Sequence, residues 1–148
     1  MQHFLRQAEE NRHLLADLEA NHPFTYFDWK TTVIFYVALH WMKAFLWARY
    51  GEQKIESHEQ IRDFYRRNKH VMPRDVYDSY HALYRYSQVS RYEGINGNFP
   101  DWQALRKFDY QKAKIDLENF RRYLVKRGVL LVPTPEGPPT SKNEDKDQ

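Results

Sequence analysis

The chain has 148 residues, enough for one domain that buries roughly 68–70% of its unfolded surface without covalent staples. It has no Cys, which excludes a disulfide framework, a thiolate nucleophile and a cysteine zinc site. A net charge of +3 is too small to demand a nucleic-acid partner; from Pro133 onward the chain carries −2, which leaves +5 on the body, an excess that attracts phosphate or merely keeps a protein in solution.

Few Gly and many aromatics favour helices over a loop-rich fold. Met1 to Ala20 mixes charges throughout, unlike a signal peptide. Phe4, Ala8, Asn11, Leu15 and Leu18 instead recur at helical spacing and predict a first helix from about Gln2 to Ala20, ended by Asn21-His22-Pro23. A second helix is predicted from about Tyr26 to Tyr50. Ile34, Ala38, Trp41 and Phe45 form one apolar stripe on it, and Val33, Val37, Ala44 and Trp47 another. A helix apolar nearly all round belongs at the centre of a bundle. Its run from Thr31 to Ala48 approaches a membrane span in length, but His40 and Lys43 interrupt it, so a buried core helix and no membrane association are expected. Gly51 is its natural stop.

Ser57 and Gln60 have the spacing of a capping box and open a short helix to about Asn68. Pro73 presets the first turn of a further helix, to about Tyr92. Gly94 to Pro100 reads as a loop. Asp101 is expected to cap a last helix to about Arg127, with Ala113, Leu117, Phe120 and Leu124 facing inward and Gly128 stopping it. Val129 to Val132 is expected to pack back as a short apolar strand or coil. The fold class is therefore all-α: an antiparallel up-and-down four-helix bundle with one short additional helix, over residues 1–132. Residues 133–148, Pro-rich and charged, are expected to be a disordered tail.

Four places on this scaffold bear on chemistry. His58-Glu59-Gln60-Ile61-Arg62 begins like a zincin helix, but Arg62 stands where the second ligand is needed, so no metal site is expected. His58, Arg62 and Arg66 share one face of the short helix, either a solvated face or a phosphate-facing patch begun by the free amides after Ser57. His40 sits in the buried helix, either bonded to a core neighbour or opening on a cleft; Asn11 raises the same question. Finally, Leu83, Ser87 and Arg91 continue one inward stripe, so a charge there needs pairing or a wet cleft.

Three stretches together resemble the HEPN superfamily (higher eukaryotes and prokaryotes nucleotide-binding domains): Phe35-Tyr36-Val37-Ala38-Leu39-His40, Ser57-His58, and Leu83 through Arg91-Tyr92, with Asn11 and Trp29 in keeping. The resemblance covers about residues 2–127. It implies a helical bundle, usually a homodimer. It also implies either nucleotide or RNA binding, in a toxin–antitoxin, defence or nucleotidyltransferase-associated setting, or a metal-independent endoribonuclease. A nucleotidyltransferase-like protein is the implied partner. The family's ribonuclease motif is an Arg, four to six residues, and a His, often followed one residue later by a Tyr. Here Arg85 and Tyr92 fit, but Ser90 stands in place of the His, and a hydroxyl does not titrate near neutrality. Arg74, six residues, and His81 satisfy the bare spacing earlier on the same helix.

The binding reading expects one cleft shared by His40, His58, Arg62, Ser87 and Arg91, with Ser57, Arg85 and Tyr92 also touching ligand. The enzyme reading assigns charge to Arg91 and proton transfer to His58 or His40. No cofactor is expected, and the setting is expected to be cytoplasmic.

Overall fold

The computed structural model describes residues 1–51, 55–92 and 98–131. Five helices follow in order: α1 (Gln2–Asn21), α2 (Phe27–Tyr50), α3 (His58–Arg67), α4 (Arg74–Tyr92) and α5 (Phe99–Lys126). Among the described residues there is no strand.

The helix ends follow from local chemistry. Gly51 closes α2 at φ 71°, donating its amide to the Trp47 carbonyl at 2.8 Å. In α3 both halves of the capping box form: Ser57 Oγ accepts from the Gln60 amide, and Gln60 Oε1 accepts from the Ser57 amide. Gly128, at φ 73°, ends α5 in a Schellman turn, in which Val129 donates to Leu124 and Gly128 to Val125. Val129 and Leu130 then fold back onto the core, while Leu131 is exposed.

Two boundaries differ from expectation. Helix α5 begins two residues before Asp101, because Asn98 takes the cap and accepts from the Asp101 amide at 3.3 Å. Pro100 fits inside that first turn because its missing N–H has no partner to lose there. Helix α4 begins at Arg74, with Pro73 just outside and its carbonyl accepting from Tyr77. Of the expected loop Gly94 to Pro100, residues 94–97 lie outside the described residues, as do Val132 of the expected return segment and the expected tail from Pro133, while Phe99 and Pro100 belong to α5.

Packing sets the directions. Phe27 meets Tyr110 and Phe45 meets Tyr123, so α2 and α5 run the same way. Lys43 lies over Phe4 and Arg12 over Trp41, which sets α1 against α2. Helix α2 packs on α1, α4 and α5 and lies at the centre of the bundle. Ile34, Ala38, Trp41 and Phe45 of the first expected stripe are all buried, as are Val37 and Ala44 of the second. Trp47 is exposed. Ala113, Phe120 and Leu124 are fully buried on α5, and Leu117 packs at the edge. Helix α2 is long and apolar enough to cross a membrane by composition, but most of it is enclosed by its neighbours.

Removing the α3 cap should be felt globally. Ser57→Ala is expected to cost about 1 kcal/mol. A urea unfolding midpoint unchanged by that substitution would contradict the cap's contribution.

Candidate functional site: a basic pocket between α3 and α4

Helix α3 is bound to its neighbours through side chains. His58, Ile61 and Phe64 are buried, three residues apart; His58 meets Phe35 of α2 and Tyr80 of α4, and Phe64 meets Tyr50 of α2. Tyr77, Tyr80, Leu83, Ser87 and Ser90 form the buried face of α4. Rings from the two helices stack in one column. Tyr65 lies on Tyr77 at 3.8 Å and 8°, Tyr77 near His81 at 6.0 Å and 14°, His81 near His58 at 5.8 Å and 24°, and His58 on Tyr84 at 3.6 Å and 15°.

His58 Nδ1 sits 2.9 Å from the hydroxyl of Tyr80, a fully buried ring. Burial pushes the Tyr80 phenol well above its usual pKa, so it keeps its hydrogen. The other ring nitrogen of His58, Nε2, is buried and has no partner among the described residues. Burial, with His81 and Arg62 close by, holds the His58 pKa down to about 4. His81 is also lowered, by burial and then by Arg85 and Arg62. Both rings are therefore neutral at pH 7.

One end of the column opens on a pocket of about 300 Å³. Its walls are two matched faces. Arg62, Tyr65, Arg66 and Lys69 come from α3 and the turn after it, and Arg74, Tyr77, Asp78 and His81 come from α4. Each set is spaced i, i+3, i+4, i+7; on α4 this places four side chains on one helical face, and on α3 it places Arg62, Tyr65 and Arg66 on one face, with Lys69 in the turn just beyond. Four full cations meet one carboxylate. Asp78 approaches Arg74 at 3.9 Å, but both side chains are largely exposed and such a pair contributes little. Arg62 Nε, Tyr77 Oη and His81 Nδ1 are buried in this wall with no partner among the described residues. Arg62 Nε is a donor and Tyr77 Oη carries one, and a buried donor without an acceptor costs roughly 1–3 kcal/mol.

Arg91 belongs to a second cluster. Its Nε donates to the Ser87 carbonyl at 3.3 Å, Nη2 to Ser87 Oγ at 3.3 Å and Nη1 to the Tyr36 hydroxyl at 3.2 Å. Ser87 Oγ in turn donates to the Tyr84 carbonyl at 2.7 Å. The guanidinium lies over the rings of Phe35, Tyr36 and Tyr92. Arg91 is thus placed with Ser87, Tyr36 and Phe35, and Arg62 with the α3–α4 pocket, in place of the single expected cleft. Phe35 is the common neighbour of Arg91 and His58.

The structure thus gathers His58 and Arg62 at one site, and Ser87, Arg91 and Tyr92 at another. His40 joins neither. Its Nδ1 is buried without a partner among the described residues, and the charges that bear on it are Lys43 and His3, on the α1 side of α2. Burial first, then those two charges, brings the His40 pKa down to about 4. Arg85 is exposed, Ser57 is used by its cap, and Asn11 is only half-buried and accepts from Gln7. Ser90 is buried, and its hydroxyl has no partner among the described residues. Arg66 was expected on a phosphate-facing patch with Arg62; Tyr65, Lys69, Tyr77 and Asp78 were not expected in a site, and the spacing shared by the two segments is the signal that could have found them. Among the described residues no group of three or more His, Asp or Glu is gathered closely enough to hold a metal ion. No protein-family model, curated protein or solved structure matches the chain.

The two depressed histidines fix the sign of an acid effect. Their folded pKa values lie below the usual 6.5, so the unfolded chain binds more protons between pH 6.5 and 4. Their contribution is complete above pH 6.5 and is lost as pH falls toward 4. For buried His58 the loss is at most about 3 kcal/mol. Denaturant melts from pH 7 to pH 4 should show this fall, with a shallower slope in His58→Phe. An identical slope in that variant would show that His58 is not a source of the loss.

Proposed function

We propose that this chain is a HEPN-like helical module that binds the phosphate of a nucleotide or of RNA in the α3–α4 pocket. The observation that carries this reading is the pocket's chemistry: four cations converge on about 300 Å³, and the buried Nε of Arg62 and hydroxyl of Tyr77 have no protein acceptor among the described residues. Tyr65 stacked on Tyr77 gives a ring edge beside the cations, a combination suited to a base attached to its phosphate. A homodimer, a nucleotidyltransferase-like partner and a toxin–antitoxin or defence setting belong to the proposal through the family resemblance.

A second reading, metal-independent RNA cleavage, is favoured by one specific observation. Arg74 and His81, the earlier of the two motif-like pairs, both line this pocket. A neutral His81 could take the proton of a 2′-hydroxyl while the arginines hold the charge gathering on phosphorus. Ser90 offers no such proton transfer.

The test is thermal melting with and without inorganic phosphate, AMP or a short single-stranded RNA. Each ligand that binds only the folded state should raise the melting temperature. Arg62→Ala should remove that gain, whereas Arg91→Ala should keep it. RNA affinity should fall with salt, and Arg62→Ala should lower the log–log slope by about 0.7 for one lost contact to single-stranded phosphate. Ligand stabilisation lost in Arg91→Ala and kept in Arg62→Ala would move the site to the Ser87–Arg91 cluster. Under the second reading, His81→Ala should stop cleavage of total RNA in the presence of a chelator and leave binding intact.

A further inference from the structure

A second cavity, of about 210 Å³, lies at the other end of the bundle, where α2 and α5 begin. Arg106 stands in its wall and is only 6% exposed. One of its nitrogens, Nη2, pairs with Asp109 at 3.4 Å. Its Nε and Nη1 have no partner among the described residues, and neither does the buried indole Nε1 of Trp102 in the same wall. All three are N–H donors, so what this wall lacks is an acceptor.

The opposite wall also presents donors. Tyr26 occupies the cap position of α2 in a left-handed conformation and offers no side-chain cap. The amides of the first α2 turn at Phe27, Asp28 and Trp29 therefore have no intrahelical acceptor, and the helix dipole is positive there. Gln103 donates to the Phe24 carbonyl at 3.1 Å and ties the two walls together. The remaining surface is aromatic: Phe99 lies nearly parallel to Trp102, with 5.9 Å between ring centres.

Two features narrow the ligand. Asp109 already neutralises part of the Arg106 charge, and Asp28 adds a carboxylate at the wall, so a dianion is disfavoured. The volume is below the roughly 300 Å³ at which pockets for drug-sized ligands begin. We propose that this cavity is a binding site for a small aromatic monocarboxylate, its carboxylate accepting from Arg106 and Trp102 and its ring packed against Phe99. The site is separate from the α3–α4 pocket, and either can fail without the other.

The experiment uses the full-length protein and benzoate as probe, with benzamide and inorganic phosphate as controls. Calorimetry gives affinity, and ¹⁵N spectra of the Trp102 indole N–H give location. Benzoate should shift that resonance saturably and bind at least about tenfold tighter than either control, the size of one charge-assisted hydrogen bond. Trp102→Phe keeps a ring and removes the donor, so it should weaken benzoate about tenfold while the protein melts as a folded domain. Arg106→Gln should abolish binding. The proposal is overturned if benzoate leaves the Trp102 indole unmoved, if benzamide or phosphate binds as tightly, or if folded Trp102→Phe binds benzoate like the wild type.

Discussion

Helix α2 has to be surrounded. Its apolar side chains look outward in nearly every direction, so no single neighbour can cover them, and three long helices pack against it. Its polar residues are handled within the same constraint. Thr31 and Thr32 return their hydroxyls to the Phe27 and Asp28 carbonyls four residues back. Lys30 is buried, donates to the His22 carbonyl and lies over the rings of Phe27 and Tyr110. Burial lowers the pKa of that ammonium, but the carbonyl and ring faces stabilise its charge. The turn between α1 and α2 is thereby pinned to the core by a single cation.

With the centre filled in this way, polar groups collect at the margins of the bundle, and they differ in what they still lack. Arg91 has a partner for each of its three nitrogens: they reach Ser87 and Tyr36, and its faces meet aromatic rings. Arg62 and Arg106 each keep buried nitrogens without an acceptor among the described residues. The distinction matters because a guanidinium cannot shed its proton to escape a poor environment. A histidine can, and His40 and His58 do so. The proposed ligand sites are therefore the ones with unsatisfied arginines, and the histidines that spacing first singles out are not what distinguishes them.

Much of the fold was legible in the sequence because its determinants are local. Apolar period, the Ser57–Gln60 box, Gly51 and Gly128 each act within a few residues, and each is found at its expected place. The start of α5 was harder to read. Asp101 and Asn98 are both good caps, and Pro100 looks like a breaker until it is placed in a first turn. The site was legible only in part. Arg62 and His58 were identifiable from one helix face. That α3 and α4 bring two such faces together depends on how the helices pack, which periodicity does not encode. The shared cleft around His40 failed for a related reason: residues with similar burial can lie on different sides of one helix, and His40 turns toward α1 while Tyr36, one turn away, reaches Arg91.

Helix α3 is held differently from the others. No long helix packs closely along it; three buried side chains and a column of rings fasten it to α2 and α4. Such a segment can detach while the four long helices stay assembled, so its opening free energy is smaller than that of the whole fold. Half of the basic pocket leaves with it. Any molecule held between Arg62 and Arg74 would therefore act as a clasp on α3, and slower amide exchange in that one short helix would accompany the rise in the melting temperature.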